Sequence, residues 1–473
     1  MDWFVADHSW LARMLFQRSL AAVYLVAFVV AANQYTALLG DRGLTPAGRF
    51  LARVSFRRAP SLFHLHHSDR FVLAVAWAGA ALSLATVAGL TDAVPLAVAM
   101  LVWVLLWLLY LSIVNIGQTW YAFGWESLIL EAGFLAVFLG NAHVGPPVLT
   151  MYLLRWLLFR LEFGAGLIKM RGDRCWRDLT CLYYHHETQP MPGPLSWFFH
   201  HLPRPLHRVE VAANHLTQLV VPFLLFAPQP VAGAAAAVMI ATQLWLVASG
   251  NFSWLNWLAI VLGFSVLPDS WLVPLLPGNG QYGAATSPIA FVVVVCAATA
   301  LVVSLSWWPA ANMLSRHQRM NTSFNRWHLV NSYGAFGTVT KTRYEVVVEG
   351  SGDGDEWREY EFKGKPGDPS RLPRQFAPYH LRLDWLMWFA ALSPGYAEPW
   401  FRVLLQRLLE GDRAVSALLR RNPFPDGPPR LVRARLYRYR FTTWRELRAT
   451  GQWWSRSLVG EFERPVSLRR APR

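Results

Sequence analysis

Two stretches, Phe71 to Leu90 and Val94 to Val114, run with almost no ionisable side chain. A helix of about 20 apolar residues crosses the roughly 30 Å hydrocarbon core of a bilayer. In lipid, each backbone N–H and C=O must be satisfied inside the segment itself, which a helix does. A helix in a soluble core would instead show a polar face at every turn. The chain is therefore restricted to the α-helical membrane proteins. Charged residues make up only 15% of its 473 residues, against roughly 25% in an average soluble domain.

Scanning for similar runs predicts about nine spans: Ser19–Leu39, Phe71–Leu90, Val94–Val114, Phe123–Leu139, Val148–Ile168, Val209–Phe226, Val231–Val247, Phe252–Leu267 and Pro288–Trp308. The eighth is short enough to be re-entrant. Tryptophans such as Trp120, Trp125, Trp307 and Trp308 sit in or at the ends of these runs, where interfacial anchors are expected. Beyond Pro309 the period changes. Thr338 to Glu349 alternates like a strand, a Gly/Asp turn follows, and Trp357 to Lys363 returns as a second strand. The fold class expected is an all-α polytopic membrane domain over residues 1–310, followed by a small α+β water-exposed domain over residues 311–473. A β-hairpin is placed near residues 338–363.

The formal charge of +15 invites a nucleic-acid reading, but no basic helix or aromatic-basic platform supports one. The arginines fall mostly between and after the apolar runs, at headgroup level, and concentrate in two loops, residues 40–70 and 170–208. The partners expected are the lipid bilayer and other proteins. The positive-inside rule assigns these loops to the cytoplasm. Met1 to Arg18 carries Asp2 and Asp7 and does not read as a cleavable signal.

The run from Met151, MYLLRWLLFRLEFGAGLIKMRGDRCW, holds the most informative charges. Arg155, Glu162 and Lys169 are spaced by seven, so they share a helix face within about 20° per step. Charges at bilayer depth face the bundle interior and find partners. For Arg160 the candidate partner is Glu131, with Glu126 nearer the interface. Such a set either lines a polar cavity or only ties helices together. Glu210, Asn214 and Gln218 recur every four residues on one stripe, beside His215, and allow binding or interhelical glue. The segment CWRDLTCLYYHHETQP gathers Cys175, Cys181, His185 and His186. Its C-x5-C spacing is neither a metal knuckle nor a redox C-x-x-C, and a structural zinc needs four closed ligands. The cysteines are expected to be ordinary structural residues, a disulfide being the alternative, with neither a metal nor a cofactor. No phosphate loop, nucleophile elbow or H-E-x-x-H is present.

Several longer runs resemble the lipase maturation factor family: GQTWYAFGWESLILEAGFLAVFL from Gly117, RWLLFRLEFGAGLIKMRGDRCWRDLTCLYYHHETQPMPGPLSWFFHHLP from Arg155, GNFSWLNWL from Gly250, the NSYGAFGTVTKTRYEVVVEG stretch from Asn331, and HLRLDWLMWFAAL from His380. The resemblance covers most of the chain. A looser one links its membrane part to the horizontally transferred transmembrane superfamily, which includes vitamin K-dependent carboxylases. The family resemblance implies a multi-pass maturation factor that assists client proteins, lipases in eukaryotic relatives, in the endoplasmic reticulum membrane; in a bacterium the plasma membrane takes its place. It also implies that the basic loops and C-terminal domain face the lumen, opposite to the arginine count. The alternative is a membrane enzyme acting on a lipid, a quinone or a protein side chain through the intramembrane charges.

Overall fold

The computed structural model describes residues 3–275 and 286–468. Its membrane part is built from α1 (Trp10–Leu38), α2 (Asp69–Val87), α3 (Leu96–Ile116), α4 (Gly124–Ala136), α5 (Val148–Arg171), α6 (Arg204–Leu219), α7 (Val231–Ser249), α8 (Leu255–Phe264) and α9 (Ile289–Leu305). Proline stands immediately before α3, α5, α6, α7 and α9. There its missing N–H is no loss and its fixed φ suits a helix start. Helix α1 packs against α2, α4 and α8, while α5 packs against α4, α6, α8 and α9. Gly133 lets α1 and α4 approach closely, because a Cβ there would fall on the Tyr24 hydroxyl, which donates to the Ile129 carbonyl at 3.0 Å.

Among the described residues, six helices are long and apolar enough to cross a membrane, or seven if α8 and Asp269–Leu275, bent by 110°, form one broken span. The expected count of nine is corrected for two physical reasons. Helix α4 has 13 residues, about 20 Å at 1.5 Å per residue, too short to span alone. Helix α5 has the length, 24 residues, but carries the charges that disqualify it as a lipid-facing helix. Helix α1 also begins nine residues before the predicted start. The Asp269 carboxylate accepts from the backbone N–H groups of Trp10, Leu11 and Ala12 at 2.7, 3.1 and 3.1 Å. It thereby caps donors that a helix start leaves unpaired. Exposed apolar side chains on α7 and α9, among them Leu244, Ile289, Val293 and Val303, form a lipid-facing surface, with Trp307 and Trp308 exposed just past the end of α9. The protein is a multi-pass membrane protein.

The C-terminal part centres on a four-stranded antiparallel sheet of order β2-β1-β3-β4, made from β1 (Arg343–Ser351), β2 (Arg358–Glu359), β3 (Leu431–Phe441) and β4 (Trp454–Val466). Strand β1 pairs with β2 and along its full length with β3, from Arg343↔Tyr439 to Ser351↔Leu431. The 13-residue β4 is the long free edge. Helices α10 (Arg382–Leu392) and α11 (Trp400–Leu409) cover the sheet and meet the membrane part.

The two parts are joined by buried polar contacts. Arg382, fully buried, reaches the Glu126 carboxylate at 2.8 Å and donates to the Trp120 carbonyl at 2.6 Å. Tyr110 donates to the other Glu126 oxygen at 2.5 Å. Gln34 of α1 donates to the His380 carbonyl at 2.7 Å and accepts from the Arg382 N–H at 3.1 Å. Removing one partner of a buried ion pair leaves an uncompensated charge, at a cost of about 3–5 kcal/mol. Arg382→Met should therefore lower the thermal stability of the detergent-solubilised protein and speed proteolytic separation of the C-terminal part. Unchanged melting and digestion would show that this pair does not hold the two parts together.

Candidate functional site

A cavity of about 860 Å³ opens between α5, α6 and α7, the segment 333–338 and α10. Such a volume is typical of small-molecule sites, which are mostly apolar with a few placed polar groups. Its walls include Trp125, Trp176, Phe252, Phe336 and Trp385, and its polar groups include Glu162, Lys169, Asn214, Gln218, Gln243 and Asn256.

The polar groups form one hydrogen-bonded line across four helices. Lys169 of α5 donates to Asn214 and Gln218 of α6 at 2.7 and 2.9 Å. Gln218 donates onward to Glu162 at 3.1 Å. Glu162 also accepts from Gln243 of α7 at 2.6 Å, and Gln243 accepts from Asn256 of α8 at 2.6 Å. Gln218 and Gln243 each act once as donor and once as acceptor, which uses both ends of a side-chain carboxamide, while Asn214 accepts and Asn256 donates at the two ends of the line. Lys169 also lies 4.9 Å from the Trp176 ring centroid. One positive and one negative charge are thus buried in a single network, bridged by Gln218.

Four of the other sequence candidates, Arg155, Arg160, Glu131 and Glu126, lie outside the cavity wall, whereas His185 and Glu210 are part of it. Arg155 turns away from the cavity network, donating to the Leu225 carbonyl at 3.0 Å and lying over the Tyr152 ring. Arg160 pairs with Glu131 and donates to the Asn331 carbonyl at 2.6 Å. Glu131 accepts further bonds from the Asn331 N–H, the Asn331 amide and the Tyr333 hydroxyl at 3.0, 2.9 and 2.7 Å. A carboxylate so fully occupied is a fastener between α4, α5 and the segment after α9. Glu126 belongs to the Arg382 contact described above.

The loop 170–208 departs from its sequence reading. Cys175 and Cys181 are joined in a disulfide, with Cα atoms 4.8 Å apart, where ordinary unpaired cysteines were expected. The turn around the short helix Arg174–Arg177, begun by the Asp173 side chain on the Cys175 N–H, folds the chain back within bridging reach. His185 packs its ring against Phe336 at 5.0 Å, and burial pushes its pKa down to about 3. His186 leaves this group and meets His207 and Glu210, which come from the first turns of α6. One ligand atom from each of the three lies within 4.8 Å of the others, a set that could hold a metal and that the sequence reading did not bring together. Sequence spacing missed it because two members lie 21 and 24 positions beyond His186. The loop is also clamped to the sheet: Arg343 donates to the carbonyls of Glu187, Gln189 and Pro190 at 2.9, 2.5 and 3.0 Å, and Trp197 donates to the Thr442 carbonyl at 2.8 Å. Glu187 accepts from the Phe441 N–H at 2.7 Å, and burial raises its pKa.

A multi-pass membrane body with an amphipathic cavity, roofed by an α+β domain, is thus the class of protein that the fold and site define. Residues 11–273 match the family model described as lipase maturation factor transmembrane domain, and residues 329–464 the one described as lipase maturation factor C-terminal domain. The chain belongs to the lipase maturation factor family. It is 41% identical to lipase maturation factor 1 of Homo sapiens, over 97% of this chain and 88% of the relative. It is 39% identical to the Mus musculus protein of that name, over 97% and 88%. With lipase maturation factor 2 of Homo sapiens the identity is 32%, over 97% and 83%. No solved structure matches it.

Two isosteric changes separate the fastener from the cavity. Glu131→Gln leaves the Arg160 guanidinium buried without a counter-charge, and should cost about 3–5 kcal/mol. Glu162→Gln keeps the side-chain shape and loses one acceptor, and should cost about 1 kcal/mol. Thermal melting of the two variants in one detergent checks the difference, and equal losses would contradict it.

Proposed function

We propose that this protein is an integral membrane maturation factor that assists the folding of secreted lipases. The observation that carries this reading is the near-full-length similarity to proteins named for lipase maturation, through both the membrane and C-terminal parts. The membrane-enzyme alternative is not favoured. Glu162 already accepts two amide hydrogens, and Lys169 is spent on two amide oxygens.

The disulfide supports an oxidising compartment for the loop 170–208. Because that loop is clamped to the sheet, the C-terminal domain lies on the same side. That side is the lumen of the endoplasmic reticulum in a eukaryotic cell and the outer face of the plasma membrane in a bacterium. An extended client segment has one long unpaired strand to meet, β4, where Leu458 and Val459 are about half exposed. Glu461, Glu463, Arg464 and Pro465 in the same strand guard it against indiscriminate pairing. Strand β1, in the predicted hairpin, pairs with β3 along its length and with β2 at Glu349 and Gly350. On its remaining outer edge the Val346 and Val348 carbonyls are already taken by Lys365 and the Tyr360 N–H, so it offers a shorter edge than β4.

A photoreactive residue at Leu458, in cells co-expressing a secreted lipase, should crosslink to the lipase, and one at Tyr344 on β1 should capture much less. Deleting the gene should lower the specific activity of the secreted lipase. Full lipase activity without the gene would overturn the reading. Placement on the oxidising side has its own check. In bacterial spheroplasts an impermeant reductant followed by an impermeant maleimide should label Cys175 and Cys181, whereas in sealed microsomes both should stay protected until the membrane is opened. The reverse pattern would place the loop on the other face.

A further inference from the structure

We propose that His186, His207 and Glu210 form a Zn²⁺ site that pins the loop 170–208 to the start of α6 beside the cavity. A His186 ring nitrogen, Nε2, lies 3.8 Å from Glu210 Oε2, and His207 Nδ1 lies 3.8 Å from the same oxygen. One ligand atom from each residue falls within 4.8 Å of the other two. These separations exceed a hydrogen bond of about 2.7–3.2 Å. They approach the edge of a tetrahedral shell around zinc, about 3.4 Å for bonds of 2.0–2.2 Å.

The second observation is the state of the side chains. His186 and His207 are 1% and 2% exposed. Both ring nitrogens of His186, Nδ1 of His207 and Oε2 of Glu210 have no hydrogen-bond partner on the protein. Buried polar atoms are rarely left so, and here one from each of the three residues is gathered within 4.8 Å of the other two. The remaining atoms of two of the ligands are already held. His207 Nε2 lies 3.3 Å from the His200 carbonyl, which directs its Nδ1 lone pair inward, and Trp245 Nε1 donates to Glu210 Oε1 at 2.7 Å, leaving Oε2 to the site. Outer contacts of this kind orient metal ligands. Two imidazoles and a carboxylate suit a borderline cation such as Zn²⁺ rather than Ca²⁺ or Mg²⁺, which prefer all-oxygen shells. Three protein ligands leave a fourth position, and Glu210 itself lines the cavity.

The test uses the full-length protein in detergent, purified without a polyhistidine tag, stripped with chelator and reloaded with Zn²⁺. One Zn²⁺ per chain should survive gel filtration, measured by plasma mass spectrometry. X-ray absorption at the zinc edge should show two imidazole ligands. His207→Ala and Glu210→Gln should each weaken Zn²⁺ binding at least tenfold, while His215→Ala, a histidine of the same helix bonded to the Trp176 carbonyl, should not. Should either ligand variant fail to fold, the wild-type absorption spectrum still decides. Sub-stoichiometric zinc in the wild type, a spectrum without imidazole, or equal binding by folded ligand variants would each overturn the site, leaving only a water-bridged polar cluster.

Discussion

The contact between Glu126 and Arg382 holds a helix at membrane level to a domain that sits outside it. Both groups are fully buried, so neither can be relieved by water, and the loss of either leaves the other stranded. Around this pair the segment 376–382 is fixed from several directions. Gln34 reads the backbone on either side of Leu381. Asn251, just before the eighth predicted span, accepts the N–H groups of Phe376 and Ala377 at 2.6 and 2.9 Å. Because α10 also contributes Trp385 and Trp388 to the cavity wall, the shape of the cavity depends on the same contact. Membrane and water-exposed parts are therefore one mechanical unit.

That coupling explains which elements were readable from the chain alone. Uninterrupted apolar runs such as Leu96–Ile116 need no tertiary partner to be recognised, since lipid imposes the same demand along their length. Helix α4 misled because its apolar composition continues through Phe138 and Leu139, while the helix stops at Ala136. Its neighbours, rather than lipid, supply its apolar surroundings, so span length ceases to be a constraint. The start of α1 was unreadable for a related reason: its cap, Asp269, lies 259 positions away from Trp10. The period-two pattern after Thr338 marked a strand, but pattern cannot say what pairs with its far side, and β3, about 80 residues on, takes that side along the full length of β1.

The charges divide along similar lines. Spacing by seven puts Arg155, Glu162 and Lys169 on one face, yet only the last two share a network. A helix face is wide enough for Arg155 to swing toward the Leu225 carbonyl, whose residue lies in a 3₁₀ stretch that no periodicity announces. The stripe Glu210, Asn214 and Gln218 splits as well, two amides going to Lys169 and the carboxylate to histidines. Periodicity locates a face; the partners across from it decide the chemistry.

The loop 170–208 shows how that chemistry serves the whole. A loop with several arginines would ordinarily be mobile at a membrane surface. Here a disulfide closes its first turn, Arg343 threads three of its carbonyls, and Trp197 is fully buried against the sheet. Arg343 is itself neutralised by Glu345 at 2.6 Å, and Lys365 meets the same carboxylate at 2.9 Å. The loop is thereby part of the C-terminal body, and its far end begins α6, which carries Asn214 and Gln218 into the cavity. A displacement of the sheet by a bound client would act on the loop, and through α6 on the amides that bridge Glu162 and Lys169. The cavity network and the open edge of the sheet are two ends of one continuous set of contacts.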